Sequence, residues 1–120
     1  MHTLGIVLVL FVAAVHAYIL VLEMFLWRTE RGRRAFGTDP AFADQSATLA
    51  ANQGLYNGFL AAGLVWGALA ADPVGFQVRV FFLGCVIVAG VYGALTVNRR
   101  ILVVQAAPAI VALAVVLLAA

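Results

Sequence analysis

The chain has 120 residues, is 66% hydrophobic and only 10% charged, and carries a net charge of +2 with a mean hydropathy of +1.11. A soluble domain this small covers itself with about 25% charged residues, so the composition excludes an ordinary water-soluble globule. Four long apolar stretches, at about 4–27, 47–71, 74–97 and 101–120, take up most of the sequence and leave no length for a separate soluble domain.

Each stretch approaches or exceeds the roughly 20 residues a helix needs to cross the hydrocarbon core. The expected fold is therefore all-α: a single four-helix transmembrane bundle over residues 1–120. The first stretch is longer than the h-region of a signal peptide, which runs about 7–15 residues. No positive region precedes it and no small-residue cleavage pattern follows, because it ends in Glu23-Met24-Phe25-Leu26-Trp27-Arg28. It is read as a retained span.

The loop at 28–46 opens with Arg28, Arg31, Arg33 and Arg34. Trp27 and Phe36 beside them suit an interfacial aromatic belt, and the arginines suit topology and anionic-lipid contact. Thr38 or Asp39 before Pro40 has the form of an N-cap with proline at the first helical position, so the second helix is expected to begin near Pro40. The connection Ala71-Asp72-Pro73 carries an acid and no base, whereas Arg99 and Arg100 separate spans three and four. Arginine bias in short loops then places both termini outside the cell and the 28–46 loop in the cytoplasm. The expected location is the cell (inner or plasma) membrane, multi-pass. Arg79, early in span three, is the exception; its expected role is to snorkel near the interface and pair with Asp72. Cys85 lies inside span three without an intrachain partner and is read as a small buried hydrophobe.

With this orientation the polar residues gather on one side of the membrane. Glu23 falls near the inner end of span one and His16 about 10 Å deeper on the same face, two helical turns away. Asn52, Gln53, Tyr56 and Asn57 fall in the inner half of span two, as the i, i+4 pairs Asn52/Tyr56 and Gln53/Asn57. Tyr92 and Thr96 fall in the inner half of span three, and Gln105 in that of span four. The outer halves are nearly pure Ala, Val, Leu, Ile, Gly and Phe. Shared depth and helical phase predict one polar pocket open to the cytoplasm, with Glu23 and His16 as candidate acid–base residues and Asn52, Gln53, Tyr56, Asn57, Tyr92 and Thr96 as ligand-binding residues. The competing view is that the amides are interhelical glue, helped by close backbone approach at Gly54/Gly58, Gly63/Gly67 and Ala89/Gly93.

Four stretches, His16-Ala-Tyr-Ile19, Leu22-Glu23-Met24-Phe25-Leu26-Trp27, Asn52-Gln53-Gly54-Leu55-Tyr56-Asn57-Gly58 and Tyr92-Gly93-Ala94-Leu95-Thr96, resemble the bacterial and fungal membrane family known as domain of unknown function 1304. The resemblance covers essentially the whole chain. It implies a small four-helix integral membrane protein and no defined activity.

No phosphate-binding loop, HExxH, CxxC or nucleophile elbow occurs. Three functions stay open. The first is a membrane-embedded enzyme or binding protein for a small lipophilic molecule, with His16 as general base or axial haem ligand and no other metal site. The second is a small-solute transporter or channel, which needs a homo-oligomer to build a path. The third is a structural or accessory subunit. The expected partner is the lipid bilayer, with no nucleic acid; the sequence does not specify a cofactor.

Overall fold

The computed structural model describes residues 1–120 and is all-helical. Its helices are α1 (His2–Met24), α2 (Glu30–Phe36), α3 (Pro40–Leu69), α4 (Val74–Thr96) and α5 (Ala107–Leu118), with a π-helical segment, Leu102–Ala106, leading into α5. Two of them, α1 and α4, are long and apolar enough to cross a membrane, and Leu102–Leu118 is a shorter apolar helix. The chain divides into two compact units, residues 1–15 with 60–120 and residues 16–59.

The first unit is built on small and branched apolar side chains at helical spacing. Val9, Val12 and Ala13 of α1, Leu64 of α3, Leu83 and Val86 of α4, and Ala109, Ala112 and Val116 of α5 form its buried core. On α1, α4 and α5 these residues lie three or four positions from the first or the next of their set, which keeps each set on one side of its helix. Outside that core the side chains stay apolar: Phe11, Phe81, Val88 and Leu118 are all large and exposed.

The π-helical segment has a local cause. Proline at 108 has no N–H to offer the carbonyl four residues back, and its ring crowds that carbonyl. The turn before it widens, so the Ala107 N–H bonds Leu102 O, five residues back rather than four.

Arg79 differs from its expected role. It is 4% exposed rather than snorkelling, and its guanidinium donates from Nη1 to Gly67 O (2.9 Å) and from Nη2 to Asp72 Oδ1 (3.0 Å). The Asp72 pairing is the expected one. The Gly67 carbonyl is one of the last in α3 and has no partner within its own helix, so the arginine also serves as a C-terminal cap.

The second unit contains the end of α1, α2 and most of α3. α3 begins at Pro40 as expected, and the carboxylate before it is the cap: Asp39 Oδ1 accepts from the Phe42 N–H at 2.8 Å. The loop at 28–46 holds one element not anticipated, the two-turn helix α2. Thr29 caps its start, accepting from the Gly32 N–H at 3.3 Å, and Gly37 ends it at φ 69°. That left-handed conformation is open to glycine and costly for most other residues.

Candidate functional site

On α3, Gly54, Asn57 and Gly58 stand at positions 0, +3 and +4 and so share one face. That face meets the end of α1. A Cβ at Gly54 would lie 2.5 Å from Met24 Cγ and 3.1 Å from Glu23 Cβ, and one at Gly58 would lie 2.7 Å from Leu20 Cδ1. The two glycines let the helices approach at this depth, and the amide beside them then reaches the acid. Asn57 Nδ2 donates to Glu23 Oε1 at 2.6 Å and, with its other hydrogen, to the Gln53 backbone carbonyl at 3.2 Å.

An open groove of about 420 Å³ adjoins this pair, lined by Glu23 to Phe25 and Trp27 to Thr29 on one side and by Ala47, Thr48 and Ala51 of α3 on the other. Its aromatic wall is held in place. Trp27 Nε1 donates to Ser46 Oγ at 3.1 Å, and the indole packs on Phe36 with ring centroids 5.0 Å apart. Arg28 at the rim faces Asp44 at 3.7 Å, both well exposed.

The arginine cluster is largely committed to partners. Arg34 pairs with Glu30 at 2.6 Å, and Arg33 donates to the Arg28 carbonyl. Exposed pairs of this kind are worth little individually.

The anticipated site residues divide accordingly. Glu23 and Asn57 come together. Asn52, Gln53 and Tyr56 lie on α3 with exposed side chains, where the Tyr56 ring packs edge-on against Phe59 at 5.9 Å. Gln53 serves the pair through its main chain only. Tyr92 and Thr96 belong to the last turns of α4 in the first unit; Tyr92 is 69% exposed, and the Thr96 hydroxyl donates back to the Tyr92 carbonyl at 2.7 Å. His16 is 0% exposed. A haem or a substrate would reach its ring only after the side chains around it had moved.

The small residues of α3 mark the face on which Asn57 lies, although only the packing of α3 on α1 makes that face the one that meets the acid. Ala43, Ala50 and Gly54 are buried in α3 at heptad-like spacing, and position 57 continues that stripe while 52, 53 and 56 do not. The aromatic anchor Trp27–Ser46 had no such signal, because its partners lie 19 residues apart across a loop.

The chain matches, over residues 10–117, the family described as protein of unknown function (DUF1304). It is 35% identical over 115 residues to the uncharacterized protein YpaA of Lactococcus lactis subsp. lactis (strain IL1403), an alignment covering 94% of this chain and 96% of that one. No solved structure matches it.

Proposed function

The chain belongs to the DUF1304 family, and we propose that it is a multi-pass membrane protein in which Glu23 and Asn57 form the polar end of a binding site for a small lipophilic molecule. The observation that carries this reading is the 2.6 Å hydrogen bond between them. A carboxylate inside an apolar helix is costly in lipid and is a functional candidate by default. Here it is oriented by an amide and borders a groove with an aromatic wall.

Membrane insertion is supported by the two helices of spanning length and by the large apolar side chains that the helices turn outward. Such a surface is a liability in water and an ordinary one in lipid. In the full proposal α3 and the Leu102–Leu118 helix also cross, both termini lie outside, and residues 28–46 face the cytoplasm.

Binding is better supported than catalysis. A general acid–base pair needs two groups within reach of one substrate, and His16 has no accessible surface. One observation favours a purely structural role instead. Asn57 uses both its hydrogens within the protein, as helix glue would, and such bonds in membranes are worth about 0.6–2 kcal/mol.

Glu23→Gln separates the two, because the glutamine carbonyl still accepts from Asn57 while the charge is gone. The experiment is mass spectrometry of small molecules extracted from the purified protein. A compound enriched with the parent and lost from well-folded Glu23→Gln is the expected result. Identical extracts from the parent and the variant would leave the structural role.

A further inference from the structure

The hydrogen-bond inventory of the Glu23–Asn57 pair says what kind of head group it lacks. A primary amide has two N–H donors, and both hydrogens of Asn57 Nδ2 are used, one on Glu23 Oε1 and one on the Gln53 carbonyl. What remains at the pair is acceptors: the second carboxylate oxygen of Glu23 and the Asn57 carbonyl oxygen. An ionised carboxylate accepts only. The other ionisable group on the groove, Arg28, faces Asp44 across the rim, so the Glu23 carboxyl is the one whose only side-chain partner is a neutral amide. Met24, Phe25 and Trp27 offer an apolar wall beside it.

We propose that the site takes a primary ammonium carried on a hydrocarbon chain. An ammonium has three donors and no acceptor, so it fits the unfilled oxygens and neutralises the carboxylate, while the chain lies along the apolar wall. A fatty acid has the opposite chemistry: it sets acceptors against acceptors and a like charge against Glu23. This inference rests on the pair being a ligand site at all, and it adds the chemical class of the ligand. The same ammonium occurs on a free single-chain amine and on an ethanolamine lipid headgroup.

The test uses the full chain in dodecyl maltoside, with Trp66→Phe so that Trp27 is the remaining indole. Trp27 emission is followed during titration with dodecylammonium, lysophosphatidylethanolamine and dodecanoate. Saturable binding of an amine, and none of dodecanoate, is expected. Glu23→Gln should weaken amine binding by about tenfold or more, the scale of one charge-assisted hydrogen bond. Glu23→Asp, which keeps the charge, should retain much of it. Tighter binding of dodecylammonium assigns a free amine, and tighter binding of the lysolipid assigns a headgroup; either supports the class.

Dodecanoate binding that depends on Glu23 would overturn the amine while leaving a ligand site in place. Amine binding unchanged in Glu23→Gln, or no saturable binding of any probe, would also overturn it. The question whether a ligand exists is then answered separately by the extracted compounds.

Discussion

Gly54 shows how much of the site depends on one missing carbon. Its Cβ would fall 2.5 Å from Met24 Cγ, 3.1 Å from Glu23 Cβ and 3.3 Å from the Leu20 backbone carbonyl oxygen, so α1 and α3 would have to separate. Separation lengthens the Glu23–Asn57 bond, which spans those two helices. Gly84 is the internal control, since nothing lies within 4 Å of the Cβ it would carry. Gly54→Ala is expected to destabilise by about 1–3 kcal/mol, the cost of overpacking. Gly84→Ala is expected to be neutral or to stabilise by up to about 1 kcal/mol, because alanine is the better helix former. Reversible denaturation in mixed micelles measures both. Equal effects at the two glycines would show that the α1–α3 approach is not tight at Gly54.

At the scale of the element, α3 is anchored at its start by a single carboxylate. Asp39 Oδ1 satisfies the Phe42 N–H, one of the donors the first turn leaves open, and Pro40 removes another. Asp39→Ala should cost about 1 kcal/mol, as the loss of an N-cap usually does, and Asp39→Ser much less. Amide exchange locates the effect: faster exchange at residues 42–45 with residues 54–60 unchanged is the expected pattern. No change at 42–45 would mean that the proline alone holds the helix start. The cap sits next to Ser46, which holds Trp27. Fraying of this turn is therefore expected to loosen the aromatic wall of the groove before it reaches Asn57.

For the whole molecule, the proposed orientation puts residues 28–46 inside and the α3–α4 connection outside. Six of the seven arginines sit in two loops that this orientation places together in the cytoplasm. The seventh, Arg79, donates to the Gly67 carbonyl and is paired with Asp72, so it does not act as a bare positive charge on the opposite side. In a Cys85→Ser background, Ala71→Cys should react with an impermeant thiol reagent on intact cells, and Ala35→Cys only after permeabilisation. Both positions are exposed, which makes them suitable reporters. Labelling of Ala35→Cys from outside would reverse the orientation.

Apolar length and the spacing of turn signals are local properties, so the sequence by itself determined that the chain is helical. It also determined that α3 starts near Pro40 behind a cap at Thr38 or Asp39, between which the structure chose Asp39, and that Glu23 is the acid set within an apolar run. The start and stop of α2, Thr29 and Gly37, were present in it too, but two turns among arginines carry too little apolar periodicity to stand out. Contact across the chain was another matter. Depth alone treats Asn52, Gln53, Tyr56 and Asn57 as equivalents, and only the packing of α3 on α1 selects Asn57, because the two glycines decide which face comes close. The burial of Arg79 was likewise decided by the tertiary structure. A buried guanidinium is tolerated only where carbonyl and carboxylate acceptors converge on it, and Gly67 and Asp72 reach that point through the fold, 12 and 7 residues away along the chain.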